Sequence, residues 1–167
     1  MAIKVLLARF GAIMLLAFST PAFAASVDEE QIKKLVQTEM EGAATHDIDK
    51  VMSVYWHSKD FVLYDAVPGE FNGWDALKAD YEDYFKTFPG KPDASFADLH
   101  VGTSGDLGYA FSIQTWKFKK ASGEVVTSVQ RVTNIYRRID GQWLCIHEHA
   151  SIPVNMLAES KSSPKGR

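Results

Sequence analysis

The sequence predicts an α+β fold in which helices come first and an antiparallel sheet follows. Apolar residues recur at helical spacing in the first part of the chain, whereas the second part consists of long strand-like segments separated by turn dipeptides. This order is typical of α+β proteins and differs from the regular alternation that builds a parallel α/β sheet. The chain has 167 residues, of which 46% are hydrophobic, and this suits one globular domain.

Three helices are predicted. The first, residues 27–44, has apolar side chains at helical spacing and acidic residues in its first turn, where they favour a helix N-terminus. A short second helix follows at residues 47–52. The third begins after Gly73 and ends at Phe88, because Pro89 and the glycine after it cannot continue it. One face of this third helix is formed by Trp74, Leu77, Tyr81, Tyr84 and Phe85.

Five strands are predicted. Residues 61–65 form a short strand, which the dipeptide Pro68-Gly69 ends. The dipeptides Gly105-Asp106, Ser122-Gly123 and Asp140-Gly141 are typical of hairpin turns, so the strands around them should form an antiparallel meander. The four long strands of this meander are residues 94–104, 107–121, 124–139 and 142–153.

The N-terminus, residues 1–24, has the three parts of a secretory signal peptide. Lys4 and Arg9 form a basic start, residues 10–18 form a short apolar core, and small residues end the segment at Ala24. The apolar core is shorter than the ~20 residues of a membrane-spanning helix, although an uncleaved anchor is the alternative. We expect cleavage after Ala24 and a periplasmic or secreted protein without further membrane attachment.

The remaining chain is predicted to be one domain at residues 25–155, followed by a disordered polar tail at residues 156–167. A formal net charge of -3 gives no reason to expect nucleic acid as a partner. The single cysteine, Cys145, excludes a disulfide framework and a cysteine-based zinc site. We expect no cofactor.

The turns also predict which residues of the meander lie opposite each other. If each turn has two residues, His100 pairs with Phe111, Phe111 with Asn134, and Asn134 with His147. Because paired residues share a face of the sheet, this places two imidazoles and one amide under the helices. The same face would also carry Tyr109, Ile113, Val132, Tyr136, Cys145 and His149.

The opposite face would mix aromatic, apolar and charged groups, with Trp116, Arg131 and Ile146 as its main residues. Such a partly apolar surface is suited to pairing with a second copy of the chain. We therefore expect a homodimer that forms through the outer face of the sheet.

The end of the last hairpin, residues 140–151, follows the pattern Asp-Gly-x-Trp-x-x-x-His-x-His-x-Ser. This pattern resembles the SnoaL-like branch of the nuclear transport factor 2-like superfamily, including the association domain of calcium/calmodulin-dependent kinase II. The resemblance covers about residues 30–153. It implies a cone-shaped, cystatin-like fold: a curved antiparallel sheet wraps around the N-terminal helices, with a pocket in its mouth and a dimer interface on its outer face.

The strand that ends at Asp65 is also similar to the strand that carries the general base of ketosteroid isomerases. The resemblance implies that Asp65 is a base and that Asn134 stands near the position of an oxyanion-hole aspartate. Glu39 stands near the position of an oxyanion-hole tyrosine, and a glutamate can donate a hydrogen bond there only when it is protonated.

The sequence thus predicts that a small organic molecule binds in an apolar pocket, with acid–base catalysis of the isomerase, dehydratase or hydrolase type as a hypothesis. Asp65 and His147 are the candidate catalytic residues, although Asp65 could instead cap a turn and the histidines could form a structural network or a metal site. A non-catalytic binding or assembly module is the alternative. The candidate ligand-binding residues are Tyr64, Trp74, Tyr81, His100, Phe111, Ile113, Asn134, Tyr136 and His149.

Overall fold

A computed structural model describes residues 22–66, 69–119 and 122–153. It contains three helices, α1 (Ala22–Thr45), α2 (Ile48–Met52) and α3 (Trp74–Thr87). The Asp47 carboxylate caps α2 by accepting a hydrogen bond from the backbone N–H of Lys50 at 3.0 Å, which satisfies one free donor of the first turn. The three predicted helices are confirmed.

Six strands form one sheet, in the spatial order β2-β1-β6-β5-β4-β3. Strands β3 to β6 are the predicted antiparallel meander, and β1 pairs with β6 in parallel. The short strand β2 was not predicted, because Pro68-Gly69 indicated the end of a strand and not a hairpin back to β1. The strands are β1 (Val62–Tyr64), β2 (Glu70–Asn72), β3 (Asp93–Ser104), β4 (Leu107–Lys119), β5 (Val125–Ile139) and β6 (Gln142–Ser151).

Helix α1 packs against the inner face of the sheet and forms the core with it. Ile32 and Val36 are fully buried, as the helical spacing of the apolar residues requires. The sheet contributes side chains that alternate inward along each strand, among them Ala110, Tyr136 and Cys145. The α+β fold with N-terminal helices on a curved antiparallel sheet is therefore confirmed.

The predicted pairing of β5 with β6 is right near the turn and wrong beyond it. Tyr136 lies opposite Cys145 as predicted, but the next pair is Ile135 with His147, so Ile146 is an extra residue in a β-bulge. From this point every residue of β6 is on the opposite face from the one predicted. Asn134 consequently lies opposite Glu148 and not opposite His147.

The predicted pairing of β4 with β5 is wrong by one residue. Lys119 pairs with Val125, so the connection is five residues long and not the two-residue turn that Ser122-Gly123 indicated. Phe111 consequently lies opposite Thr133, and Ala110 lies opposite Asn134. The third predicted pairing, His100 with Phe111, is confirmed.

These two shifts decide which groups face the helices. The inward row consists of Leu63, Glu148, Asn134 and Ala110, all buried. The outward row consists of Tyr64, His149, Thr133, Phe111 and His100. The predicted placement of His100, Phe111, His147 and His149 under the helices is therefore wrong, as is the placement of Glu148 and Trp116 on the outer face.

The predicted leader and tail lie largely outside the described residues. The described part of the leader, residues 22–24, forms the first turn of α1. Export and cleavage after Ala24 stay predictions. Among the helices that the structure describes, none combines the length and hydropathy needed to cross a bilayer.

Candidate functional site

A cavity of about 140 Å³ lies between the inner face of the sheet and helices α1 and α3. Its wall combines aliphatic and aromatic groups with four carboxyl groups and two amides. The lining residues are Glu39, Ala43, Leu63, Asp65, Phe71, Leu77, Asp80, Tyr81, Tyr84, Gln114, Trp116, Phe118, Gln130, Glu148 and Ala150.

Two glutamates face each other at the buried end of this cavity. Glu39 extends from α1 and is 4% exposed, while Glu148 extends from β6 and is 7% exposed. The bulge at Ile146 is the reason that Glu148 points inward. Since buried carboxyl groups are costly unless they are paired or protonated, this pair is the most unusual feature of the interior.

Two donors hold one oxygen of Glu148. The Tyr55 hydroxyl donates to Oε2 at 3.0 Å, and the Asn134 side-chain amide donates to the same oxygen at 2.7 Å. Both donors are buried. Because both hydrogen bonds favour a charged acceptor, Glu148 is the member of the pair that carries the negative charge.

The pKa values of the two carboxyl groups are both raised. Burial raises the pKa of Glu148 to about 7, against the lowering effect of its hydrogen bonds from Tyr55 and Asn134. Burial, followed by the charge of Glu148, raises the pKa of Glu39 well above its usual range. At neutral pH the site therefore contains a protonated Glu39 beside a Glu148 that is close to its own midpoint.

Two aspartates lie where the cavity wall is more exposed. Asp65 follows β1 and is half-buried, and Asp80 lies on α3. Burial and the charge of Asp65 raise the pKa of Asp80. The Asp65 side chain also accepts a hydrogen bond from the backbone N–H of Ala66, so it contacts the turn as well as the cavity.

Of the predicted ligand-binding residues, the structure places Tyr81 in the cavity wall and Asn134 beside it, bonded to Glu148. Tyr136 is fully buried in the core. Trp74 lies outside the wall, where its indole N–H donates to the backbone oxygen of Met52 at 3.3 Å and its ring stacks on His57.

The remaining predicted ligand-binding residues lie on the outer face of the sheet. His100 stacks on Phe111, with ring centroids 5.0 Å apart, and Phe111 is 44% exposed. Phe111 and Ile113 lie on the outer face because the register of β4 against β5 differs by one residue from the predicted register. His149 lies there because of the bulge in β6. Tyr64 is on the same face because it pairs with His149.

The predicted catalytic residues Asp65 and His147 are not brought together. His147 is half-buried on the outer side of β6, where its Nδ1 donates to the backbone oxygen of Val62 at 2.9 Å. This contact fixes the ring against the parallel neighbour β1 and turns it away from the cavity. Asp65 alone of the two lines the cavity.

The sequence prediction missed Glu148 and Gln114 as cavity residues and did not include Glu39 among the site residues. The periodicity of the first helix does carry a signal, because Glu39 lies on the same face as Val36 and Met40, where a charged residue is unexpected. No comparable signal marks Glu148, since its direction depends on the bulge.

A metal site built from the histidines has no support in the geometry. Throughout residues 22–66, 69–119 and 122–153, no three His, Cys, Asp or Glu side chains converge in a way that could hold a metal ion. His147 and His149 do share a face, as predicted, but that face is the outer one. Burial raises the pKa of the Cys145 thiol well above its usual range, so this thiol is unsuited to act as a nucleophile.

Solved structures with the same fold are numerous. A nuclear transport factor 2-like protein of unknown function from Pseudomonas putida KT2440 is 29% identical, with a TM-score of 0.71 over 80% of this chain and 92% of that one. A Streptomyces avermitilis protein of the nuclear transport factor 2-like family, provisionally called a dehydratase, is 17% identical with a TM-score of 0.70, over 78% of this chain and 99% of that one.

A Xanthomonas campestris protein, provisionally called a calcium/calmodulin dependent protein kinase II association domain, is 22% identical. Its TM-score is 0.64 over 75% of this chain and 87% of that one. At 17% and 22% identity, the Streptomyces and Xanthomonas structures establish a common fold and nothing about activity. No curated protein matches the sequence.

The sequence profile of the SnoaL-like domain matches residues 32–155, which is most of the chain. The match spans every element that lines the cavity, from α1 to β6. The chain therefore belongs to the SnoaL-like domain family, within the nuclear transport factor 2-like fold that its sequence predicted.

Proposed function

We propose that this protein binds a small organic molecule in the cavity and catalyses proton transfer on it. The observation that carries the proposal is the shared wall of Glu39, Glu148 and Asp65, which supplies an acid and a base to one partly apolar space. Two carboxyl groups with separated pKa values are the usual means by which one site offers both a proton donor and a proton acceptor.

The chemistry assigned to the site is abstraction of a proton next to a carbonyl group. Asp65 removes the proton, while the protonated Glu39 donates a hydrogen bond to the carbonyl oxygen and stabilises the negative charge that develops there. In a substrate with a double bond next to the deprotonated carbon, the electron pair extends over a dienolate, and return of the proton to its far carbon moves the double bond and completes an isomerisation. Burial, together with the charge of Glu148, keeps Glu39 protonated.

The volume of the cavity suits a ligand body of about one ring. An apolar protein cavity of about 150 Å³ takes up benzene, and the present cavity of about 140 Å³ is of similar volume. Cyclohexanone is therefore a suitable probe, since it combines one ring with a carbonyl group and exchangeable neighbouring protons.

We expect the protein to accelerate deuterium exchange into cyclohexanone in D₂O at least tenfold over buffer, measured by ¹H NMR. Asp65→Asn should lower the enzymatic rate by about 100-fold, because general base catalysis contributes on the order of 10²–10⁴. Asp60→Asn is the matched control: Asp60 is exposed and paired with Lys59 outside the cavity, so its loss should leave the rate unchanged.

Equal exchange rates in the wild type and Asp65→Asn would refute the catalytic proposal. If cyclohexanone still shifted the amide signals of the cavity residues, the alternative of a non-catalytic binding module would then be supported.

We also propose a homodimer, formed by the outer face of the sheet. Tyr109 and Phe111 are each 44% exposed and stack on each other with ring centroids 5.6 Å apart, and His100 extends the stack. Contiguous aromatic groups on a sheet face are typical of protein interfaces. The prediction that Trp116 belongs to this interface is wrong, because Trp116 lines the cavity. Arg131, which was predicted for the same interface, is exposed on the outer face.

If the protein is a homodimer, a charge placed in the aromatic stack should lower its mass in solution. Phe111→Glu should convert a dimer into a monomer in sedimentation equilibrium, because it places a charge in the centre of the aromatic stack. Val27→Glu, on the exposed side of α1, is the control and should keep the dimer mass. A wild-type protein that sediments as a monomer at all concentrations would refute this proposal.

A further inference from the structure

The charges on the cavity wall are of one sign. Glu39, Asp65, Asp80 and Glu148 all line it, and the wall as described contains no lysine, arginine or histidine. Even with Glu39 protonated, the remaining carboxyl groups give the cavity a negative potential at neutral pH. Because a partly enclosed, partly apolar space screens charge less than water does, this potential acts strongly on a bound molecule.

Two polar atoms at the wall have no hydrogen-bond partner. Gln114 is 3% exposed, and its Oε1 accepts from the Trp116 indole N–H at 3.1 Å, but its Nε2 is buried and unpaired. Oε2 of Glu39 is also buried and unpaired. Buried polar atoms in proteins are nearly always paired, so these two atoms indicate polar groups of a ligand that complete the site.

Aromatic side chains form much of the remaining wall. The rings of Trp116 and Phe118 are nearly parallel, with centroids 6.5 Å apart, and the ring of Tyr84 stands edge-on to Phe118 at 6.3 Å. The faces of such rings carry partial negative charge and attract ammonium groups. Aromatic faces and carboxylates together can replace the water that an ammonium ion loses on binding.

We propose that the ligand of this cavity is a small amine, bound in its protonated form, with an apolar body of about one ring. The inference rests on the proposed function, since it names the substrate class of the same cavity. The ammonium group would pair with the carboxylates, and the body would pack on the aromatic wall. In a ligand that also carries a carbonyl or hydroxyl oxygen, that oxygen would accept from Gln114 Nε2. Organic anions are excluded by the same charges.

Benzylamine, benzyl alcohol and benzoate test this inference, because they share a ring and carry charges of +1, 0 and −1. At pH 8 we expect benzylamine to bind at least tenfold more tightly than benzyl alcohol, and benzoate to bind most weakly. The binding is measured by ¹H–¹⁵N NMR titration, with shifts of Tyr81 and Trp116 reporting that the cavity is occupied.

Variants separate the charge effect from simple occupancy. Asp65→Asn and Asp80→Asn should each lower the ratio of amine to alcohol affinity by about threefold or more. Asp75→Asn is the control on α3, because Asp75 is exposed and lies beside His57 outside the cavity wall. It should leave the ratio unchanged.

The outcomes distinguish the inference from the proposed function. Equal affinities for benzylamine and benzyl alcohol, or tightest binding of benzoate, would overturn the amine inference and leave a small-molecule cavity in place. If none of the three compounds shifted Tyr81 or Trp116, both the amine inference and the proposed binding function would be refuted.

Discussion

The contribution of Glu148 to the free energy of unfolding should fall by about 2–3 kcal/mol between pH 5 and pH 8, because Glu148 ionises in the folded cavity only at high cost. In the unfolded chain its proton leaves near the usual pKa of 4.5, whereas burial raises the pKa in the folded protein to about 7. Between these values the folded state binds more protons, so stability decreases as pH rises. Each pKa unit corresponds to about 1.4 kcal/mol, and because part of the full effect is already lost below pH 5, about 2–3 kcal/mol falls within this window.

The measurement is urea unfolding at several pH values, with Glu148→Gln as the matched control. The amide of the variant can still accept from Tyr55 and Asn134, but it cannot ionise. The difference between the two proteins removes the contributions of groups that do not interact with Glu148, such as His46, whose pKa is lowered by burial and whose effect has the opposite sign. It reports Glu148 together with the part of the Glu39 titration that depends on the charge of Glu148.

A wild type and variant with the same pH dependence would show that Glu148 is not the group that titrates. The other titratable groups that face it are Glu39 from α1, Tyr55, Tyr81 from α3, Asp65 after β1, and Cys145. Of these, Glu39 would be the first to test, because its pKa is also raised by burial and by the charge of Glu148.

A stability cost at neutral pH is what the proposed acid–base site would require. Replacing the Glu39–Glu148 pair with apolar groups would remove the cost, but it would also remove the proton donor. In the resemblance to ketosteroid isomerases, Glu39 stands near the position of a tyrosine, and a glutamate donates a hydrogen bond only when it is protonated. Burial and the charge of Glu148 raise the pKa of Glu39 and so keep it protonated. In the proposed mechanism a carboxylic acid would therefore donate the hydrogen bond that a tyrosine donates in ketosteroid isomerases.

The elements of the fold could be predicted because each has a local cause. Helical spacing of apolar residues produces α1 and α3, and the dipeptides Gly105-Asp106 and Asp140-Gly141 form the turns that end the long strands. Gly105, Asp140 and Gly141 all have positive φ, as such turns require. These causes act within a few residues and are visible in the sequence.

The site could be predicted only in part, because it depends on register. Asp65, which the resemblance to ketosteroid isomerases singled out, does line the cavity, and its catalytic role stays a prediction. Glu148, Phe111 and His147 were placed on the wrong faces by two single-residue shifts: the bulge at Ile146 and the longer β4–β5 connection. A shift of one residue reverses a strand completely, and neither shift has a clear signal in the sequence.

Gly42→Ala should destabilise the protein by about 2–3 kcal/mol, although alanine normally favours a helix by about 1 kcal/mol over glycine. Gly42 lies in α1 at the point where α2 packs on it. A Cβ atom there would be 2.5 Å from the backbone nitrogen of Val51 and 2.8 Å from its Cα. Since both atoms are backbone, no rotamer change relieves the contact, and α2 has to move as a unit.

Movement of α2 should also change the pKa of Glu148 in the buried carboxyl pair. Tyr55 follows α2 closely and donates to Glu148, so a displaced Tyr55 would raise the pKa of Glu148 further.

Gly90→Ala is the control: the nearest atom to its Cβ would be the Lys119 oxygen at 3.8 Å, an ordinary contact, and stability should change by less than about 1 kcal/mol. Urea unfolding measures the stability and ¹³C NMR titration measures the pKa. If Gly42→Ala were as stable as Gly90→Ala, the close approach of α1 and α2 would not be a feature of the folded protein. The position of Tyr55 would then depend on its contacts with the sheet and not on the packing of α2 against α1.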